Sequence, residues 1–230
     1  MPLVRATALP VFAPALRDDR LRALCSRWER RAAPGLSPGQ REHCSRFAPA
    51  GDALMARASR LLARLLALSA LPEGAVLDRD AAGRPRVTGA PGWEVAFTHS
   101  GRAAFCLICA PGEGRSHGPV RPALDTEALA TAPPDGPPFA APAPGPGFAL
   151  RRWTLAEALF KALGAPPDMW GTVAATAHRH AGARAGAWAH GRARLDWRFL
   201  PAPGHVLCVA LPGAAPQPLR LHWIPWQCLA

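Results

Sequence analysis

Two stretches far apart in the chain decide how it is read: Ala103 to Gly114, "AAFCLICAPGEG", and His205 to Ala215, "HVLCVALPGAA". Each is an apolar run of strand length that carries cysteine and leads into Pro-Gly, a pair that ends regular structure. What precedes each run is also alike. Before the first, "DALMARASRLLARLLALSA" (Asp52 to Ala70) repeats leucine at helical spacing with arginines between. Turn-rich "LPEGAVLDRDAAGRPRVTGAPG" follows, then a neighbouring strand, "WEVAFTHS" (Trp93 to Ser100). Before the second, a helix from about Trp153 to Leu163 ends on Gly164, a good C-cap residue, and strand candidates follow at "TVAATAH" and "ARLDWRFL". The repeated order predicts an α+β fold of two similar lobes, each a helix packed on a small antiparallel sheet, with the ligand between them. The expected division is residues 1–118 and 119–230. "VRPALDTEALA" (Val120 to Ala130) reads as a strand entering a loop. Thr131 to Gly147, "TAPPDGPPFAAPAPGPG", is too rich in proline and glycine for a regular element.

Composition narrows the class. The 230 residues carry a net charge of +11 with a pI near 11.1, and Lys161 is the only lysine among 27 cationic side chains. An arginine bias this complete is most simply a coding bias, so charge alone assigns no function. A basic surface nevertheless attracts acidic partners. Six cysteines suggest disulfides, but proline and arginine interrupt the N-terminal apolar residues and no apolar run reaches membrane-spanning length. The expectation is a cytoplasmic protein with reduced, buried thiols. Cys106 and Cys109 fall on opposite faces of a strand, and no second pair completes a zinc site. "HRH" (His178 to His180) reads as a polar strand edge or loop, and Trp223 and Trp226 as packing residues.

Three clusters carry chemistry. Glu157 and Lys161, four apart, share a helix face with Trp153 one turn earlier, while Leu155, Leu159, Ala162 and Leu163 form a separate apolar stripe. A plain structural reading is also complete, with Thr154 and Glu157 as a capping box and Glu157–Lys161 as a surface ion pair. In "ALDTEA", Asp125 and Glu127 point to one face of a strand, where two carboxylates repel unless a cation joins them; such oxygen ligands suit Mg²⁺. "FTHS" sets Thr98, His99 and Ser100 at a strand end, able to donate several hydrogen bonds to a phosphate.

Five segments in order now carry a resemblance: "SPGQREHCSRF" (Ser37 to Phe47), "GRP" (Gly83 to Pro85), "VAFTHS" (Val95 to Ser100), "ALDTE" (Ala123 to Glu127) and "WTLAEALFKALG" (Trp153 to Gly164). Together they resemble the Sfp-type 4′-phosphopantetheinyl transferases, which move the phosphopantetheine arm of coenzyme A onto a serine of an acyl or peptidyl carrier protein. The resemblance implies the two-lobe fold of that family. It further implies that Asp125, Glu127 and Glu157 hold Mg²⁺, or Mn²⁺ in its place, on the coenzyme A diphosphate. Glu157 would take the serine proton, and Lys161 would neutralise the diphosphate as its bond breaks. Thr98, His99, Ser100 and Arg84 match residues that contact coenzyme A. Gln40 and His43 stand where the family has lysines for its 3′-phosphate, with Arg41 and Arg46 as replacements. The sequence departs from the family pattern at Ala96, Ala123 and Ala156.

The implied partners are coenzyme A and an acidic carrier protein met by a monomer, with neither nucleic acid nor membrane. Two other readings stay open at this point: a family member that binds without transferring, motivated by Ala96 and Ala156, and a basic nucleic-acid-binding protein, supported by charge alone.

Overall fold

The computed structural model describes residues 1–9, 14–46, 51–113, 120–130, 146–213 and 218–229. Most of the proline-rich stretch at 131–147 lies outside these residues. In chain order the elements are β1 (Leu3–Ala8), α1 (Pro14–Ala32), α2 (Pro38–Ser45), α3 (Gly51–Leu68), β2 (Val76–Arg79), β3 (Pro85–Thr88), β4 (Glu94–Ser100), β5 (Ala103–Cys109), β6 (Ala123–Ala128), α4 (Pro146–Leu163), α5 (Trp170–His180), β7 (Ala185–His190), β8 (Ala193–Ala202), β9 (His205–Pro212) and β10 (Arg220–Trp223). The protein is of mixed α+β class. No helix among the described residues is long and apolar enough to cross a membrane.

The chain divides into two compact units. One is Met1–Pro111 with Leu219–Ala230; the other is Gly112–Pro218. In the first, the sheet order is β10-β1-β5-β4, with β5 antiparallel to both neighbours and β10 parallel to β1. The apolar stripe of α3 covers this sheet through Leu54, Leu61, Leu62, Leu65 and Leu66, meeting Ala104, Cys106 and Ile108 of β5. Helix α1 adds Leu21, Cys25 and Trp28 to the same core. In the second unit the order is β6-β9-β8-β7, antiparallel throughout. Here α4 buries Leu155, Leu159, Ala162 and Leu163 against Ala123, Leu195, Trp197, Cys208 and Ala210. The plans agree strand for strand: β1-β5-β4 under α3 and β6-β9-β8 under α4.

Several local expectations are corrected. "TVAATAH" is helical within α5, because Val173, Ala174, Thr176 and Ala177 are buried at helical, not alternating, spacing. His178 and His180 therefore lie on the last turn of α5 and not on a strand or loop. Thr154 does not cap a helix: α4 begins at Pro146, and the Thr154 hydroxyl donates to the Leu150 carbonyl at 2.8 Å inside it. The C-terminal end of α4 is as expected, since Gly164 takes the left-handed conformation at φ 58° that closes the helix. Residues 219–230, expected in the second lobe, belong to the first unit. There β10 pairs with β1, the Ile224 amide donates to the Ala6 carbonyl at 2.8 Å, and Leu229 is buried in the core. Trp223 stands edge-on to Phe105, and Trp226 packs on the same core. Five cysteines are buried and Cys228 is exposed; burial lifts the Cys25 and Cys109 thiols to about 12, far from reactive thiolates.

Candidate functional site

The second unit gathers the predicted acids. Alternation on β6 turns Asp125 and Glu127 to the face covered by α4, since Asp125 lies opposite Cys208 in the core under that helix. On α4, Trp153, Glu157 and Lys161 recur every fourth residue and so line one face. The Lys161 ammonium sits between two carboxylates, 2.6 Å from Asp125 Oδ1 and 3.3 Å from Glu157 Oε2. The indole N–H of Trp153 donates to Glu127 Oε1 at 3.2 Å. Five side chains named from spacing alone thus line one helix face and the strand beneath it. Asp125 is buried at 4% exposure, whereas the Lys161 side chain is 43% exposed and open to solvent.

Electrostatics in this cluster are strained in one direction. Burial, helped by the Glu157 and Glu127 carboxylates, raises the Asp125 carboxyl to about 7 against the opposing pull of Lys161. Burial works against the charged form of Lys161, but Asp125 and Glu157 outweigh it and raise its pKa. Three carboxylates around one ammonium leave negative charge in excess. Among the described residues, no three His, Cys, Asp or Glu side chains are arranged to hold a metal ion. The donor set nevertheless fits a hard divalent cation in kind: all three are carboxylates, and two of them already hold a cation in the form of the Lys161 ammonium. Ala156 is fully buried in the core beneath α4, so its side chain belongs to packing rather than to the acid face.

The first unit holds the other expected ligands, at the end of β4, in the β2–β3 turn and on α2. Strand register splits the "FTHS" cluster: Phe97 and His99 lie opposite Cys106 and Ala104 on the face under α3, while Thr98 and Ser100, both buried, lie on the opposite face. Arg84 closes the β2–β3 turn, its amide and Nε both donating to Asp80 at 2.8 and 3.1 Å, so its charge is already matched. Arg41 and Arg46 are exposed on and just after α2, and His43 is half-buried there. Gln40 is a structural residue: it is buried, donates to the Asp78 carbonyl at 2.9 Å and accepts from Arg64 Nε at 3.3 Å.

Sequence reasoning named Arg46 beside His43 but missed Arg60, Arg64 and Arg79. Burial, together with the charges of Arg64, Arg79, Arg46 and Arg60, lowers the His43 imidazole to about 4. Arg64, at 4% exposure, stacks its guanidinium 4.3 Å over the Phe97 ring and donates to Gln40 and to the Arg60 carbonyl. Cations drawn from α2, α3 and the end of β2 thus converge on one neutral imidazole, an arrangement suited to an anion of multiple charge. The signal was present in the leucine-rich helix: Arg60 and Arg64, four apart, interrupt its apolar residues at helical spacing.

No family model matches the chain, and no curated protein matches it. Its functional reading rests on the residues themselves.

Proposed function

We propose that the protein is a 4′-phosphopantetheinyl transferase of the Sfp type, with the two-lobe fold of that family, acting as a cytoplasmic monomer on an acidic acyl or peptidyl carrier protein. The observation that carries this reading is the meeting of Asp125 and Glu157 at the Lys161 ammonium, 2.6 and 3.3 Å from it, with Glu127 tied to the same helix face by Trp153. The shared topology of the two units and the arginine cluster around His43 support it.

The reaction asks little covalent chemistry of the protein. The carrier serine oxygen attacks the phosphorus that bears the pantetheine arm. The bond from that phosphorus to the bridging oxygen breaks, its electron pair leaving with adenosine 3′,5′-bisphosphate. Glu157 accepts the serine proton, raising the nucleophilicity of the oxygen as it attacks. The Lys161 ammonium offsets the charge that grows on the bridging oxygen, a task for a compact point charge that a broad guanidinium does not match. Asp125, Glu127 and Glu157 would hold Mg²⁺, which when bound neutralises the diphosphate and polarises its oxygens. Arg41, Arg46, Arg60, Arg79 and His43 supply an anion-binding surface for the remaining phosphate, with Arg84, Thr98, His99 and Ser100 as the further contacts that the resemblance implies. The net charge of +11 favours encounter with an acidic carrier.

Glu157→Gln tests the assignment, since the amide keeps the size of the side chain and loses its basicity. Transfer of the phosphopantetheine arm to an apo carrier should fall by about 10²-fold or more with thermal stability preserved. A variant that transfers at the wild-type rate would refute the role of Glu157.

A further inference from the structure

The helix face that carries the acid site has a third member that no step above uses. Trp153, Glu157 and Lys161 lie on α4 at intervals of four, so Trp153 and Lys161 are separated by about 12 Å along the helix axis. The carboxylates they meet, Glu127 and Asp125, are two residues apart on β6, or about 7 Å. Long side chains span from helix to strand at both ends. Lysine does so at one end and the indole at the other, with Glu157 between.

Resting on the transferase reading, we infer that Trp153 is a positioning residue for Glu127, fixing that carboxylate's orientation toward the cation and diphosphate. The indole N–H is a donor without charge. It holds Oε1 at 3.2 Å while competing for none of the negative charge, which an ammonium or guanidinium in its place would neutralise. A carboxylate has acceptor sites on both oxygens, so a neutral donor at Oε1 orients it without cancelling its charge. The indole is itself held in place: its ring meets Trp170 edge-on at 5.6 Å and 67°, and Trp170 meets Phe160 edge-on at 5.1 Å and 83°. Two of these rings come from α4 and one from the start of α5, so the packing of the two helices sets the direction in which the N–H points. Residues that orient metal-binding side chains commonly matter to metal affinity nearly as much as the ligands do.

Trp153→Phe keeps an aromatic ring near Trp170 and removes the N–H together with the fused five-membered ring that carries it. Mn²⁺ affinity, measured directly by electron paramagnetic resonance on the full-length protein, should weaken by about 10- to 100-fold. The metal concentration needed for transfer should rise in step, while kcat at saturating metal is retained. In the wild-type protein, the Trp153 indole N–H resonance, assigned through its contacts with the Trp170 ring, should shift on addition of Mg²⁺. Wild-type Mn²⁺ affinity in Trp153→Phe, or an indole resonance that ignores Mg²⁺ in a protein that binds it, overturns the inference and leaves the transferase reading standing. The resonance needs no variant, so it decides the matter even where Trp153→Phe folds poorly. A wild-type protein that neither binds Mn²⁺ through Asp125 nor transfers the phosphopantetheine arm overturns the transferase reading, and the inference with it.

Discussion

Asp125 shows how one buried side chain links stability to function. In the unfolded chain its carboxyl titrates near 3.8; in the fold, burial raises it to about 7 despite Lys161. The folded state therefore binds this proton more tightly than the unfolded one. Its stabilising share is complete below about pH 4 and is lost as the pH climbs through the folded value. Near neutral pH the site holds a carboxylate that its surroundings would rather see protonated, which is a standing demand for a cation. Asp125→Asn should remove this dependence: between about pH 4 and pH 8 the melting temperature of the variant should gain on that of the wild type, as read by calorimetry of the two proteins side by side. A constant difference across that range would mean that Asp125 is not strained by its burial. At this scale the sequence was informative where spacing alone decides, as for Asp125 with Glu127 and for Glu157 with Lys161. It was uninformative for Arg60, Arg64 and Arg79, whose convergence on His43 depends on α2, α3 and β2 meeting in space.

Among the elements, strand β7 illustrates what pattern cannot deliver. "AGAWAH" (Ala185 to His190) has few of the residues that favour strands, and it went unrecognised. It is a strand because β8 offers it a partner edge, and because Gly186 lies directly opposite Trp197. A Cβ at Gly186 would approach the Trp197 ring to 2.7 Å, and Trp197 is fully buried with no room to retreat. Gly186→Ala should therefore destabilise the protein by about 1–3 kcal/mol, the usual cost of overpacking, as measured by denaturant titration. An unchanged midpoint would show that β7 yields freely. The same tertiary dependence explains the other misreadings. Thr154 resembles a cap only while the helix is supposed to begin at Trp153, and Val and Thr in "TVAATAH" suggest a strand until their burial is seen to follow a helical period. By contrast β4, β5, β6, β8, β9 and α3 were legible, because in them an apolar run or stripe bounded by turn residues leaves little choice.

For the whole molecule, the repeat announced by the two Cys-containing strands is present as topology: β1-α3-β4-β5 and β6-α4-β8-β9 follow one plan. What the repeat concealed is the return of the chain's last described residues to the first unit, where β10 extends the sheet beyond β1. A four-residue strand pairing in parallel with one more than two hundred residues earlier leaves no local trace in the sequence. Intact-protein mass spectrometry tests the proposed transfer to a carrier protein most directly. An apo acyl carrier protein would be incubated with this protein, coenzyme A and Mg²⁺, beside a parallel reaction containing EDTA. The account predicts that the carrier gains the mass of one phosphopantetheine in the first reaction and none in the second. A folded protein that leaves the mass of several acyl and peptidyl carriers unchanged in the presence of Mg²⁺ would contradict it.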